Sequence, residues 1–317
     1  IRFGITNTSD SVSGECTTPG ISGESGNCEV GDYMTHPAFL AFNTTGIWVG
    51  KFETGYNGAA SASEAEKNTT EVDKVIAKPN VYSWRNIQVA NAFTVSYNYK
   101  RELESHMMKN TEWGAVAYLS HSIYGINDEV RINNNSNYLT GYASTTENGI
   151  GSTTEVAMWN TPIGYLASTT GNITGIYDMS GGAWEYMMGV MEDENGNPMS
   201  GFSSLYHSGF NGLLGDGNNF TNGIDFPDSK YYDAYNYNTS DFDYSRRILG
   251  DATGEMGPFQ SYNSSWNSDS SFFNIDYYPW FDRGGNCNSG YKAGVFCFDI
   301  NGGLSYNFIS FRLILCI

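Results

Sequence analysis

The sequence predicts a loop-rich fold in which helices and strands are mixed, an α+β class. Of the 317 residues, 40% are hydrophobic and 15% aromatic, whereas only 16% are charged, so the chain can bury a large core. From residue 191 to 276, short apolar islands alternate with Asn, Asp, Ser and Gly. This spacing differs from the regular strand and helix lengths of a βαβ repeat, and no internal repeat of fixed period is present.

The first hundred residues predict short, separate elements. Residues 1–29 are rich in Gly, Ser and Thr and predict an N-terminal arm, so that the main domain would span residues 30–317. Residues 46–53 predict an extended strand, because aromatic and β-branched residues are concentrated there. Residues 79–93 fit a strand or a short helix equally well, and their pattern leaves both alternatives open.

A helix is predicted over residues 111–120. Asn110 is a favourable N-cap residue, and Glu112 would meet the positive end of the helix dipole. Trp113 and Val116 fall on one face at helical spacing. The pattern is that of a helix packed against a core.

The second half of the chain predicts turns and long loops. Residues 126–172 predict a long polar excursion. In residues 175–186, Gly181 and Gly182 predict a tight turn between two aromatic-rich strands. Residues 193–197 read Asp-Glu-Asn-Gly-Asn and predict a surface turn, since the Gly and Glu of an EF-hand loop are not at their positions.

The polar composition favours binding, whereas solubility explains the net charge. The formal net charge of −18 comes from 34 acidic and 16 basic residues, which argues against nucleic acid or an anionic membrane as partner. Many Tyr, Ser, Asn and Gly residues with little Lys resemble the composition of antibody loops. No apolar run is long enough to span a membrane and no signal peptide is visible, yet the sequence begins at Ile1 without Met, so we expect a mature or truncated piece.

The cysteines and histidines do not predict a metal site. Cys16 and Cys28 enclose a Gly/Ser-rich loop and are a candidate disulfide, whereas Cys287 and Cys297 could form a second bridge, a catalytic pair or two unrelated thiols. Neither these residues nor the fifth cysteine has the spacing of a zinc site. The remaining cysteine and the four scattered histidines are Cys316, His36, His106, His121 and His207.

The C-terminal residues 280–317 predict a recognition surface. Residues 286–310 consist, apart from Lys292, of residue types that an Asn codon reaches when its adenines are replaced. This composition is also typical of a polar surface loop. The stretch is bracketed by Trp280 and Phe281 on one side and by Phe311 and Arg312 on the other, so a fixed scaffold would carry changing contacts.

Four segments together resemble the formylglycine-generating enzyme (sulfatase-modifying factor) family, in the same order along the chain. They are residues 108–117 with Glu112-Trp113, residues 175–186 (Gly-Ile-Tyr-Asp-Met-Ser-Gly-Gly-Ala-Trp-Glu-Tyr), Arg283-Gly284-Gly285, and Ser310-Phe311-Arg312-Leu313. The resemblance covers about residues 30–317 and implies a C-type-lectin fold with twisted antiparallel strands. The family's closely spaced copper-binding thiols are not matched, because Cys287 and Cys297 are ten residues apart. We therefore expect no catalysis.

The C-terminal stretch resembles more closely the variable proteins of diversity-generating retroelements, which share this lectin-type fold and carry an adenine-mutagenised region. This resemblance implies that Trp113, Trp184, Trp280, Arg283 and Arg312 belong to the scaffold. The ligand-binding variable residues would be Cys287, Ser289, Tyr291, Cys297, Asp299, Ile300, Gly302, Leu304, Tyr306 and Phe308. Leu304, Tyr306 and Phe308 alternate and would share one face of a strand, exposed in a binding surface or buried in a core.

The expected protein is a receptor or adhesin displayed on a cell or virion surface. Its partner would be a protein or another surface ligand, with no nucleic acid and no membrane contact through this region. No cofactor is expected, apart from a structural calcium ion that the 34 acidic residues would allow. The alternatives are a thiol and copper oxidase of the formylglycine-generating type and a structural surface or virion protein.

Overall fold

Two α-helices and many short strands make up the regular structure in the computed structural model. It describes residues 2–4, 15–17, 24–25, 33–147, 155–254 and 266–316, with side chains from residue 35 onward. The helices are α1 (Val89–Tyr99) and α2 (Asn110–Ser120). The prediction of a loop-rich α+β fold is confirmed.

The strands of the first half are β1 (Arg2–Gly4), β2 (Glu15–Thr17), β3 (Glu24–Ser25), β4 (Tyr33–Thr35), β5 (Ile47–Val49), β6 (Gly55–Tyr56), β7 (Val75–Ile76), β8 (His106–Met107), β9 (Tyr142–Ser144) and β10 (Val156–Met158). Those of the second half are β11 (Trp184–Met191), β12 (Gly201–Ser203), β13 (Tyr206–His207), β14 (Gly212–Leu213), β15 (Asn219–Phe220), β16 (Asp233–Tyr235), β17 (Trp280–Gly284), β18 (Gly294–Asn301), β19 (Ile309–Phe311) and β20 (Leu313–Cys316). Most have only two or three residues, so loops carry much of the chain.

The central sheet is built around β11. On one side β11 pairs with the antiparallel strand β17, which in turn pairs with β18. On its other side it pairs in parallel with β19 through Trp184 to Tyr186 and with β16 through Gly189 to Met191. The two halves of one edge of β11 are therefore occupied by different strands, and the C-terminal residues supply three of the five strands of this sheet.

The central sheet separates two hydrophobic clusters, and β11 contributes to both. Tyr186, Met188 and Val190 pack in the cluster that contains α1, whereas Met187 packs in the cluster that contains Trp113 of α2. Alternate side chains of a strand point to opposite faces, so both faces of β11 are covered. This explains why seven of its eight residues are buried and why the strand shows no polar alternation.

The predicted helix at residues 111–120 is confirmed as α2, which begins one residue earlier than predicted. Asn110 lies inside the helix and is not its N-cap, because its side chain donates to the Tyr235 hydroxyl at 3.1 Å. Lys109 is the N-cap residue, and its backbone N–H donates to Glu112 Oε2 at 2.8 Å. Glu112 therefore closes the first turn of the helix, where the prediction placed its charge.

The other local predictions agree with the structure only in part. Of residues 79–93, the first part is irregular and the last part opens α1, which continues six residues further to Tyr99. The extended segment at 46–53 is reduced to β5. Gly181 and Gly182 have left-handed φ angles of 73° and 74°, so a turn is present, but only the strand that follows it, β11, has formed. Residues 126–172 are largely irregular where the structure describes them.

The N-terminal residues pair with the main domain through backbone contacts. β4 pairs with both β1 and β2, and β2 pairs with β3. Farther along, β20 lies between β5 and β8 in a separate antiparallel sheet, which joins the C-terminus to the first half of the chain. Within the described residues, neither helix has the length and apolar character to cross a membrane.

Candidate functional site

Residues 280–316 form a buried framework of strands that carries two partly exposed loops. β17 and β18 form an antiparallel pair in which Phe281 lies opposite Ile300 and Asp282 opposite Asp299. A loop over residues 302–308 connects β18 to β19, and residues 285–293 connect β17 to β18. The strands belong to the central sheet, so the loops begin and end at fixed points.

Arg312 anchors the C-terminal end of this framework and is fully buried. Its Nε donates to Glu185 Oε2 at 2.9 Å, and its Nη2 donates to Glu185 Oε1. The same guanidinium donates to the carbonyls of Gly50 at 2.6 Å and Tyr177 at 3.0 Å. A planar fork of donors suits this arrangement, and Arg312 therefore ties β19 and β20 to β11 and to two distant loops.

A cluster of buried carboxyl groups surrounds this ion pair. Burial raises the pKa of Glu185 to about 7 despite the opposing charge of Arg312. Burial, with the charges of Asp178 and Glu185, raises the pKa of Glu53 well above its usual range. The Ser83 hydroxyl donates to the Glu53 carboxyl, as does the Ala183 N–H at 3.1 Å.

The other predicted scaffold residues also lie in the interior or against it. Trp113 and Trp280 are fully buried, and their indole N–H groups donate to the carbonyls of Val295 at 2.7 Å and Ser200 at 3.1 Å. Arg283 is fully buried, with its guanidinium 5.6 Å from the centre of the Trp113 ring. Trp184 is half-buried and packs against the cluster that contains α1.

The loop over residues 302–308 is held through its backbone carbonyls. The carbonyl of Gly303 accepts from the Val89 N–H at 3.3 Å, and that of Tyr306 accepts from the Asn86 N–H at 2.8 Å. The carbonyl of Leu304 accepts from the Tyr186 hydroxyl at 2.6 Å. The carbonyl of Asn307 accepts from Arg85 Nη1. The donors lie outside the C-terminal region, in residues 85–89 and on β11. None of these four bonds depends on a side chain of the loop.

The prediction that Leu304, Tyr306 and Phe308 lie along one strand is wrong. Residues 302–308 form no strand, because the chain turns at Gly303, whose φ is +85°. The carbonyls that a strand would pair with a neighbour are instead bonded to the groups described above. Tyr306 and Phe308 nevertheless share one side of the loop, where their rings stack at 5.3 Å.

The predicted variable residues divide into exposed and buried groups. Tyr291 is exposed, and those that are partly exposed are Ser289, Asp299, Ile300, Leu304, Tyr306 and Phe308. Gly302 is buried, but a Cβ built there would lie 3.4 Å from a Leu304 methyl and 4.0 Å from the Tyr278 ring. A side chain larger than that of glycine therefore has room at this position, where it would contact Leu304 and Tyr278.

Cys287 and Cys297 do not lie on the surface, which corrects their assignment as contact residues. Cys297 is completely buried within β18, and Cys287 is 2% exposed behind the Tyr138 side chain. Both are free thiols and form no bridge. Burial raises the pKa of Cys287 to about 11 and that of Cys297 well above its usual range. The candidate disulfide between Cys16 and Cys28 lies outside the described side chains.

Side chains from three segments form one apolar platform next to the 302–308 loop. It consists of Phe202, Tyr206, Tyr277, Tyr278, Leu304 and Tyr306. The rings of Phe202 and Tyr277 stack at 3.6 Å, and Tyr277 lies 6.3 Å from Tyr278. Burial first, and then the neighbouring phenols of Tyr278 and Tyr206, raise the pKa of Tyr306.

The sequence pattern does not single out the four platform residues outside the C-terminal stretch. Tyr206, Tyr277 and Tyr278 are between 44% and 51% exposed, which is unusual for neighbouring aromatic residues. The local signal was present in the adjacent tyrosines at 277 and 278, next to Asp276 in an irregular segment. Their proximity to Leu304 could not be read from the sequence, because it depends on pairing between segments far apart in the chain.

Carboxyl groups lie in the segments that border the platform residues. Asp276 precedes the tyrosine pair, and its Oδ2 accepts from the Tyr237 hydroxyl at 3.4 Å. Asp299, on β18, lies opposite the buried Asp282. Burial raises the pKa of Asp299 to about 6. Burial and the Asp299 charge raise the pKa of Asp282 well above its usual range.

The described residues contain no group of three or more His, Cys, Asp or Glu side chains arranged to hold a metal ion. His36 and His106 are buried, and His106 Nε2 lies 2.8 Å from Glu112 Oε1. Residues 193–197 form a turn in which Asp193 Oδ1 accepts from the N–H groups of Asn195 at 2.8 Å and Asn197 at 2.9 Å. The structural calcium ion remains a prediction without assigned ligands.

Comparison with known proteins adds no relative. No protein-family model matches the sequence, and no curated protein matches it significantly.

Proposed function

We propose that this protein is a surface-displayed ligand-binding protein of the receptor or adhesin type. On this proposal it has a C-type-lectin fold of the formylglycine-generating-enzyme type and is a variable protein of a diversity-generating retroelement. Residues 280–317 would be the region diversified by adenine-directed mutagenesis. The bound partner would be a protein or another ligand on an extracellular surface, and the protein would be displayed on a cell or virion.

The hold on the 302–308 loop is the observation that carries the proposal. Four hydrogen bonds hold the loop through its backbone carbonyls, at Gly303, Leu304, Tyr306 and Asn307. Every residue type offers the same carbonyl, so these bonds survive replacement of the loop side chains. A loop of this kind keeps its backbone path while its contact surface changes, which preorganises binding for each sequence that it carries.

The chemistry of the cysteines supports binding over thiol catalysis. A catalytic or copper-binding thiol must be accessible and readily deprotonated. Cys287 and Cys297 are buried, and burial raises both pKa values. The thiol and copper oxidase is therefore the weaker candidate. A purely structural role is less favoured because Tyr206, Tyr277 and Tyr278 are exposed beside the loop.

The genetic test is to sequence the neighbourhood of the gene for a near-copy of the codons for residues 280–317. We expect such a copy beside a reverse transcriptase gene, with differences confined to positions where the copy has adenine. If no copy is present, or if the differences fall on other bases as often as on adenine, the proposed diversification is refuted.

A test on the protein compares two libraries of equal size. In the first, Ile300, Leu304 and Tyr306 are replaced by residues that mutated Asn codons encode. In the second, the buried residues Phe298 and Ile309 of the flanking strands are replaced by the same set. We expect most members of the first library and few of the second to fold, as measured by protease resistance. Equal losses in the two libraries would contradict the proposed role of the loop.

A further inference from the structure

We propose that the apolar platform, together with the carboxylates around it, docks a basic polypeptide segment through its Lys and Arg side chains. The inference rests on the proposed binding function and specifies the chemistry of the partner. It also extends the contact surface beyond the variable residues to Phe202, Tyr206, Tyr277 and Tyr278. These four residues lie outside residues 280–317 and would contribute the same contacts whatever the loop sequence.

The aromatic part of the surface is suited to cations. Phe202 and Tyr277 stack at 3.6 Å, and three tyrosines of the platform have exposed fractions of 44% to 51%. A guanidinium or ammonium group is attracted to the face of such rings, and the aliphatic part of its side chain can pack on Leu304. Tyrosines also provide contact area at low entropy cost, because they have few rotatable bonds.

The charges in the surrounding segments have one sign. Residues 193–229, 266–282 and 293–311 contain no Lys or Arg. The same segments carry Glu194 and Asp216, which are exposed, and Asp276 and Asp299, which are half-buried. The backbone N–H of Asp216 donates to the Phe202 carbonyl at 2.9 Å, and Asp276 is covalently next to Tyr277, so both acidic residues directly neighbour platform residues.

This arrangement selects among partner surfaces. An acidic protein or a nucleic acid would place like charges opposite Asp216 and Asp276, which opposes docking. An uncharged apolar partner would remove water from the same carboxylates without providing a counter-charge. A basic segment meets both demands, since each cation can lie on a ring and beside a carboxylate. Complementary charge would also speed the encounter, because the whole chain carries a net charge of −18.

The experiment is a selection of short random peptides displayed on phage against the full chain. Each enriched peptide is then synthesised, and its affinity is measured for the wild type and for two platform variants. One variant removes aromatic surface, Tyr206→Ser with Tyr278→Ser, and the other removes charge, Asp216→Asn with Asp276→Asn. Tyr206, Tyr278 and Asp216 are exposed and Asp276 is half-buried, so both variants should fold, and circular dichroism would verify this before binding is measured.

Matched controls make the same chemical changes away from the platform. Tyr124→Ser removes a tyrosine that is 77% exposed, and Asp128→Asn with Glu147→Gln removes two exposed charges. We expect enriched peptides to contain an excess of Lys and Arg and to bind each platform variant about tenfold or more weakly, with no change in the controls. Binding should also weaken from about 0.1 M to about 1 M salt, as the Debye length falls from about 10 Å to about 3 Å.

Three results would overturn the inference. Enriched peptides without an excess of basic residues would do so, as would basic peptides that bind the platform variants and the wild type equally. The third such result is a selection in which no peptide is enriched more on the wild type than on the platform variants.

Replacement of Leu304 and Tyr306 by Ser separates the two proposals. If non-basic peptides lose affinity on this change, the proposed binding function stands and the partner chemistry is wrong. If it leaves every peptide's affinity unchanged, the proposed binding function is contradicted.

Discussion

Replacing Arg312 by Leu should destabilise the protein strongly, and by an amount that depends on pH. The side chain is fully buried and donates to both oxygens of Glu185 and to two backbone carbonyls. Removing one partner of a buried ion pair leaves the other uncompensated, which costs about 3–5 kcal/mol. We expect a loss of this size in the free energy of unfolding at pH 8.

The pH dependence follows from the pKa of Glu185, which is about 7 in the folded protein. Without the Arg312 charge this pKa rises further, so above pH 7 the folded variant holds a proton that the folded wild type has released. The variant therefore loses stability relative to the wild type as pH rises through about 7. Below about pH 6 Glu185 is protonated in both folded proteins, and the difference should be constant at about 1–3 kcal/mol, from the unpaired carbonyls.

The assay is urea unfolding followed by tryptophan fluorescence at pH 5.5 and pH 8, with Arg131→Leu as the control. Trp84, Trp113 and Trp280 are fully buried, so unfolding changes their environment. Arg131 is half-buried, and the donor distances of its Nη1, 3.3 and 3.4 Å, indicate weak bonds. The reasoning is refuted if the two variants unfold within about 1 kcal/mol of each other at pH 8, or if Arg312→Leu is more damaging at pH 5.5.

Three further predictions concern the C-terminal region. Gly302→Ala should change the free energy of unfolding by less than about 0.5 kcal/mol. Gly303→Ala should lower it by about 2–4 kcal/mol, because the φ of Gly303 is +85° and an added Cβ would lie 2.7 Å from Ser208 atoms. Thermal unfolding of the two variants measures both changes. Asp299→Asn should stabilise the protein by about 1–3 kcal/mol at pH 7.5, because burial raises the pKa of Asp299 to about 6, and the gain should vanish below about pH 4. Cys287 and Cys297 should resist iodoacetamide in the folded protein and react after unfolding, as peptide mass spectrometry would report.

The glycine and Asp299 measurements each have a control. For the glycines, Gly58→Ala introduces a left-handed alanine with no atom within 4 Å of the added Cβ, so it isolates backbone strain from steric overlap. For Asp299, Asp216→Asn removes an exposed charge and should show no comparable gain with pH. A Gly303→Ala protein as stable as the Gly302→Ala protein would contradict the loop geometry. Rapid alkylation of Cys297 in the folded state would contradict its burial.

The sequence alone determined the fold class and the position of α2. Both depend on local chemistry, namely apolar periodicity and a carboxylate at the start of a helix. It also singled out Tyr291, Asp299, Ile300, Leu304, Tyr306 and Phe308, which are at least partly exposed. It did not locate the N-cap correctly, because the Asn110 side chain bonds to Tyr235, a residue 125 positions away.

Only the tertiary structure decided which C-terminal residues reach the surface and how the loop is held. The alternation from Leu304 to Phe308 is compatible with a strand, but donors from distant positions bond to the loop carbonyls instead. Cys297 and Asp299 are two residues apart on β18, and only Asp299 is partly exposed. The platform unites residues about a hundred positions apart. Local patterns carry no information on such pairings, because they arise from the packing of the whole chain.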